Sequence, residues 1–217
     1  MDILESLYEK PPHALHILDR KVRIKGPNTL LIGPKNAGKT TLIVDYLSAL
    51  SSKTYLYVDL NDLRIKKEDL ANNLFTFYQK HNLSLLVIDN YEKAFPLNSS
   101  MQVLLSSDDH SLQIDGLDTL FLDALDFEEF IAFSKAASIE SLFNLYANYG
   151  RQPEATFLHE SQLLAFLQSK LRLELYEPSL LEIFCFMATY QSRPVSLHHI
   201  YKNLKASIRL SKDKLYL

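Results

Sequence analysis

The sequence is poor in cysteine and glycine, and its apolar runs are short. It contains one cysteine and five glycines among 217 residues. A single cysteine excludes an internal disulfide and a cysteine-based metal site, and Cys185, inside an apolar run, is expected to be a small buried hydrophobe. The longest apolar runs are too short to cross a bilayer, and the first residues lack a basic and apolar signal. We therefore expect a cytoplasmic protein with no membrane partner.

Charge is unevenly distributed along the chain. Residues 1–156 carry 15 basic and 21 acidic side chains, whereas residues 157–217 carry 8 and 5. The basic excess is concentrated after residue 192. A basic end of this kind allows contact with DNA, although a solvated helix face is the commoner explanation.

Three of the five glycines, Gly26, Gly33 and Gly38, fall close together, and two of them belong to a motif. Residues 33–40 match G-x-x-x-x-G-K-[ST] directly after an apolar run. In this motif backbone N–H groups point at phosphate oxygens, the lysine reaches the β and γ phosphates, and the threonine is a ligand of Mg²⁺. A helix predicted over residues 41–49 adds its positive end. The residues expected to bind ATP are Gly33, Pro34, Lys35, Asn36, Ala37, Gly38, Lys39, Thr40 and Thr41. The alternative is an ordinary strand-to-helix turn.

Strand-like and helix-like segments alternate after the motif, which predicts an α/β fold. Strands are expected at residues 30–32, 53–58, 83–88, 102–106 and 119–122, and an amphipathic helix at residues 69–80. The alternation predicts a three-layer sandwich in which helices cover both faces of a parallel five-stranded sheet. The continuous apolar runs predict strands that are buried on both faces.

A turn at residues 149–154 marks the predicted domain boundary. We expect a nucleotide-binding domain over residues 1–152 and a small helical domain over residues 153–217. Helices are predicted at residues 157–171, 179–190 and 194–204, and a further helix would start at residue 211. The third of these helices, with its capping residues, is typical of a helix-turn-helix unit.

An acidic residue that completes the site is predicted at Asp89. It ends an apolar strand fifty residues after Lys39, and such an aspartate normally holds Mg²⁺ beside the loop. The alternative is a residue that only caps a turn. Asn90 occupies the position where a glutamate often activates water, and an amide cannot take a proton. Glu92 is the nearest carboxylate that could activate the water in its place. An ordinary solvated residue is an equally good interpretation of Glu92. Ser106 ends the next strand, where it would sense the γ phosphate or cap the following segment.

Lysine and arginine are missing from residues 108–129, a stretch that contains eight acids. Phosphoryl transfer is commonly assisted by an arginine. None lies between Arg64 and Arg151, so an arginine finger would come from Arg151, a more distant residue or a partner. The acidic stretch is more often a solvated face than a metal site.

At these residues the chain resembles the AAA-like P-loop ATPases of bacteria and archaea that carry a C-terminal winged helix, relatives of STAND and origin-recognition ATPases. Besides the loop and the Asp89 strand, residues 57–64 are similar to the family's second strand. Residues 120–130 are similar to its leucine-x-proline-leucine-serine-phenylalanine-x-glutamate-phenylalanine segment, and residues 149–154 to its turn before the winged helix.

This resemblance implies MgATP binding by Lys39, Thr40 and Asp89, with Ser106 as the sensor. The departures are Asn90 in place of glutamate, Asp126 in place of serine, and the missing arginine. The chain also ends inside the expected recognition helix, which predicts a truncated form or a short last helix. We expect an ATPase whose slow or partner-assisted hydrolysis drives interdomain movement, with an unknown protein or a second copy as partner. The alternative is a nucleotide-gated binding module, or a DNA-associated regulator, in which hydrolysis is vestigial.

Overall fold

A parallel sheet of five strands forms the centre of the chain. The computed structural model describes residues 3–13, 19–134, 138–206 and 208. Its strands are β1 (Thr29–Ile32), β2 (Tyr55–Asp59), β3 (Leu85–Asp89), β4 (Val103–Ser107) and β5 (Asp118–Phe121). They lie in the order β2-β3-β4-β1-β5, and each neighbouring pair is parallel. The predicted five-stranded parallel sheet is confirmed.

Helices flank this sheet. The chain divides into two compact units, of which the first ends at Phe157. The helices of this first unit are α1 (Ile3–Glu9), α2 (Lys39–Ser48), α3 (Lys67–Lys80), α4 (Phe127–Phe133) and α5 (Ile139–Tyr149), followed by a 3-10 helix (Pro153–Phe157). Of these, α2 and α3 match predicted helices, and each begins two residues earlier than expected. Helices α1, α4 and α5 were not predicted from the sequence.

Alternate residues of the inner strands face two separate cores. Leu30 and Ile32 join the core that contains residues of α1 and α3, whereas Leu31 joins the core that contains residues of α2. Because successive side chains of a strand point to opposite faces, both faces are covered and the fold has three layers. The expectation of fully buried strands is wrong for β5, which lies at the edge of the sheet with Phe121 57% exposed.

A reciprocal cap explains where α4 begins. The Asp126 side chain accepts a hydrogen bond from the Glu129 backbone, and the Glu129 side chain accepts one from the Asp126 backbone. This arrangement satisfies two donors that the helix start would otherwise leave without partners. Phe127 and Phe130 then contact Tyr146 of α5. Asp126 is therefore the N-cap residue of α4.

Residues 158–217 form a second compact unit. Its helices are α6 (Glu160–Glu174), α7 (Pro178–Ala188) and α8 (Leu197–Leu204). Ile200 and Leu204 of α8 form its small core together with partly buried residues of α7. Cys185 is exposed, so its expected burial is wrong; α7 is apolar in composition but buries none of its residues.

Several expectations about this region stay predictions. The boundary between the two compact units lies after Phe157. The domain boundary expected between residues 152 and 153 stays a prediction, and so does the winged helix. The expected helix at residues 211–217 lies outside the described residues. Across the described ranges, no helix has the length and apolar character needed to cross a membrane.

Replacement of Gly33 by alanine tests how tightly β1 and β5 approach each other. A Cβ atom on Gly33 would overlap the carbonyl oxygen of Leu122, whereas one on Gly26 would meet nothing within 4 Å. Overpacking of this kind typically costs about 1–3 kcal/mol. We therefore expect Gly33→Ala to lower the free energy of unfolding by about that amount in urea titrations. Gly26→Ala is the matched control, and equal midpoints for the two variants would contradict the close approach.

Candidate functional site

The carboxyl ends of β1, β3 and β4 meet at one edge of the sheet. The loop after β1 is fixed there by a hydrogen bond of 3.1 Å from the Gly33 N–H to the Ser107 carbonyl of β4. Asp89 ends β3 and is aligned with Asp59 at the end of β2. In open parallel sheets this edge is where ligands bind.

The loop itself combines left-handed residues with the start of α2. Asn36 and Gly38 have φ angles of 61° and 93°, a region that asparagine and glycine enter more readily than other residues. Helix α2 begins at Lys39. The first N–H groups of a helix have no partner within it, and together with the helix dipole they attract anions.

Lys39 is buried and folded back against the loop. Its Nζ donates hydrogen bonds to the carbonyl oxygens of Gly33, at 2.7 Å, and Pro34, at 3.0 Å. Burial lowers the pKa of the Lys39 ammonium, an effect that the nearby carboxylates of Asp108 and Asp89 oppose. These two carbonyl oxygens supply only partial negative charge to the buried Lys39 ammonium.

Asp89 is a buried carboxylate surrounded by donors. Its Oδ2 accepts hydrogen bonds from the Thr40 hydroxyl at 2.5 Å and from the Tyr57 hydroxyl at 2.8 Å. Its Oδ1 accepts from the Ser106 hydroxyl and from the Asn90 backbone N–H. Burial, followed by the charge of Asp89, raises the pKa of Tyr57, so the phenol stays a donor.

The oxygen atoms of Thr40 and Asp89 suit Mg²⁺, which prefers hard oxygen ligands. Among the residues that the structure describes, no three His, Cys, Asp or Glu side chains are grouped as a metal cage. This fits an ion that takes one or two protein ligands and completes its shell with phosphate and water.

Comparison with known proteins identifies the domain that contains this edge. Residues 25–116 match the family model described as an AAA domain. The chain contains an AAA-like P-loop domain. The resemblance inferred from the sequence is confirmed for this domain, which is of the ATPase-like, nucleotide-binding type. Curated protein sequences gave no significant match.

Two solved structures are similar to the chain. One, described as the structural basis for katanin self-assembly, is 16% identical with a TM-score of 0.41 and covers 82% of this chain and 66% of that chain. The other is AMPPCP-bound DnaA from Aquifex aeolicus, 16% identical with a TM-score of 0.41, covering 89% of this chain and 69% of that chain. The chain therefore spans less than two thirds of the katanin chain.

Within the AAA domain, the predicted site residues fall into three groups. Lys39, Thr40, Asp89 and Ser106 lie together at the sheet edge. The other predicted loop residues surround them: Gly33 and Ala37 are buried, Asn36, Gly38 and Thr41 are half-buried, and Pro34 and Lys35 are exposed.

The two remaining candidates point elsewhere. The Asn90 side chain donates to Asp59 Oδ1 at 2.8 Å. Glu92 pairs with Lys67 at 2.8 Å on the surface, since more than two fifths of each side chain is exposed. These contacts turn both side chains away from Asp89. Glu92 therefore does not place an acid beside Asp89 that could activate a water.

Sequence reasoning missed three residues around the AAA domain's loop. Tyr57 and Asp59 lie two positions apart near the end of β2, a spacing that places them on the same face. Arg20 lies before β1 and is bonded to the Ala37 carbonyl. Tyr57 and Asp59 could have been found as polar residues at the end of an apolar strand. No motif in the sequence around Arg20 indicates its role.

Removal of the Tyr57 hydroxyl tests its bond to Asp89. Because hydrogen bonds to ionised groups typically contribute about 1.5–3 kcal/mol, we expect Tyr57→Phe to lower the free energy of unfolding by about 1.5 kcal/mol. Tyr55→Phe is the matched control, since Tyr55 lies on the same strand and in the same core as Leu31. Denaturant titration of both variants measures the difference; equal losses would show that the Asp89 contact contributes nothing specific.

Proposed function

We propose that the AAA domain binds MgATP at residues 33–41 and that slow or partner-assisted hydrolysis moves the second unit. The observation that carries this proposal is the 2.5 Å contact between the Thr40 hydroxyl and the Asp89 carboxylate. It joins the end of the phosphate loop to the acidic end of β3. A magnesium ion bound there would neutralise phosphate charge, and Thr40 and Asp89 would hold it.

Lys39 would change partners when the nucleotide binds. Its two carbonyl contacts keep the buried ammonium satisfied in the absence of an anion. A phosphate oxygen carries a full negative charge and forms a stronger, charge-assisted hydrogen bond. Phosphate binding also counteracts the burial that lowers the Lys39 pKa, so the protonated form is favoured in the complex.

The surroundings of Asp89 support slow hydrolysis. An attacking water must lose a proton, and the Asn90 amide cannot accept one. The Asn90 side chain is also engaged by Asp59, and Glu92 is engaged by Lys67. With both side chains engaged in this way, neither Asn90 nor Glu92 would deprotonate the water, so turnover would be slow or would depend on a partner.

Arg20 and Arg151 already have partners inside the fold. Arg20 is paired with Glu129 and Arg151 donates to the Leu125 carbonyl at 3.0 Å. This supports a partner-supplied arginine, from a second copy of the chain or from another protein, as the group that stabilises charge during transfer.

The 3-10 helix provides a route from the nucleotide to the second unit. A Cβ atom on Gly38 would lie 3.7 Å from the Pro153 ring, and Pro153 is four residues before the limit of the first unit at Phe157. A shift of the loop on phosphate binding would therefore press on the segment that leads into the second unit.

Variants of Lys39 and Asn90 separate nucleotide binding from hydrolysis. We expect Lys39→Ala to lose MgATP binding, because the variant lacks the cation that faces the phosphates. Asn90→Ala should bind with near-wild-type affinity, because its side chain faces Asp59. Isothermal titration with ATP and GTP, with and without Mg²⁺, measures both variants. A wild-type chain that binds neither nucleotide would overturn the proposal.

Restoration of an acid at residue 90 tests whether hydrolysis is limited by the missing base. We expect Asn90→Glu to raise the phosphate-release rate about 10²-fold or more, the usual contribution of a positioned base. Asp59→Ala serves as the control, since it removes the acceptor of the Asn90 amide without adding an acid near β3. A wild-type chain that already hydrolyses ATP rapidly would exclude the base-deficient mechanism.

The alternative function is a nucleotide-gated binding module in which bound ATP acts only as a switch. The Asn90–Asp59 contact favours it, because the residue next to Asp89 is used for structure. Under this alternative, ATP changes the affinity for a partner while phosphate release stays at background in both wild type and Asn90→Glu.

A further inference from the structure

A buried ion pair lies directly behind the phosphate loop. Arg20 Nε contacts Glu129 Oε1 at 2.9 Å, and Arg20 Nη2 contacts Oε2 at 3.2 Å. Each side chain is only 6% exposed. Glu129 belongs to the family-like segment of residues 120–130, which has no part in the proposed hydrolysis.

The remaining guanidinium donors hold two loops. Arg20 Nη1 donates to the Ala37 carbonyl at 2.7 Å, and Nη2 donates to the Asp123 carbonyl at 2.8 Å. Arg20 therefore connects the phosphate loop to the loop after β5 and, through Glu129, to α4. A lysine at this position lacks the planar fork that serves these acceptors together.

The bond to Ala37 fixes the direction of the next N–H group. A trans peptide unit is planar, so its carbonyl and its N–H point to opposite sides. With the Ala37 carbonyl held toward Arg20, the Gly38 N–H points away from Arg20. A Cβ atom on Gly38 would lie 3.6 Å from Arg20 Nη1, which places the guanidinium in packing distance of this peptide.

Glu129 is itself held on several sides. Besides Arg20, it accepts a hydrogen bond from the Lys21 N–H at 2.9 Å and from the Asp126 N–H at 3.3 Å. Burial alone would raise the pKa of Glu129, but the bonds from Arg20 and Lys21 bring it below its usual value. The carboxylate thus stays charged and keeps Arg20 in one orientation.

We propose that Arg20 and Glu129 are positioning residues of the nucleotide site, which hold the Ala37–Gly38 peptide so that the Gly38 N–H donates to a phosphate. The inference rests on the proposed binding of MgATP at this loop. A buried ion pair by itself adds little net stability. Arg20 also donates hydrogen bonds to the carbonyls of Ala37 and Asp123. The pair therefore serves to hold these two loops in position.

Arg20→Lys tests the inference because it keeps the charge and removes the fork. We expect its dissociation constant for MgATP to rise about tenfold or more, the effect of losing one charge-assisted hydrogen bond. Binding of inorganic tripolyphosphate should weaken by the same factor, because the lost contact is to phosphate. Glu129→Gln should act in the same direction.

Lys21→Ala is the matched control. Lys21 is the next residue, and its side chain pairs with Asp126 and Glu128 at the surface. Nucleotide affinity should be unchanged in this variant. Equal affinities in wild type, Arg20→Lys and Glu129→Gln would overturn the positioning role, whereas a wild-type chain that binds no MgATP would overturn the proposed function and the inference with it.

A measurement on the wild-type chain does not depend on the variants folding. With ¹⁵N-glycine labelling the chain has five backbone signals, one for each glycine. We expect MgATP to shift the Gly38 signal strongly and to leave Gly26 and Gly116 near their free positions. A Gly38 signal that does not move on saturation would contradict the role assigned to its N–H.

Discussion

The buried carboxylate of Asp89 is the group on which the edge of the sheet depends. A charge removed from water needs donors, and Asp89 obtains them from Tyr57, Ser106 and Thr40. These donors belong to β2, β4 and α2, so one side chain ties two neighbouring strands to the helix that follows the loop. Any change in register between the strands would separate the carboxylate from a donor. The register of these strands and the geometry of the candidate magnesium site therefore depend on each other.

Under the proposed function, this arrangement would make nucleotide affinity a difference between two sets of bonds. Lys39 and Thr40 are already satisfied by the Gly33 carbonyl and by Asp89, so a ligand gains only what its phosphates and metal ion offer beyond those contacts. The benefit is preorganisation, since little side-chain ordering remains to be done on binding. Under the further inference, Arg20 would extend the same principle to the backbone, because it holds the Ala37 carbonyl in place without a ligand.

The parts of the structure that the sequence predicted are those encoded locally. Apolar runs predicted the strands, and the spacing of Lys39 and Asp89 predicted their meeting. The pair of Arg20 and Glu129 is separated by 109 positions, and no local pattern connects them, although Asp126 and Glu129 have the spacing of a capping box that would have predicted α4. The edge position of β5 and the exposure of Cys185 depend on which strands and helices pack beside them. An apolar run alone does not predict those packing partners.

The ends of β2 and β3 also explain why asparagine suits residue 90. Asp59 and Asp89 are aligned on neighbouring strands, so their carboxylates repel each other. The Asn90 amide donates to Asp59, as does the Asn61 N–H, while the Asn90 N–H donates to Asp89. A glutamate at residue 90 would add a third carboxylate and remove one of these donors. The carboxylates of Asp59 and Asp89 thus favour an amide at residue 90, whereas fast hydrolysis favours an acid there. The chain has the amide, Asn90, which stabilises the fold.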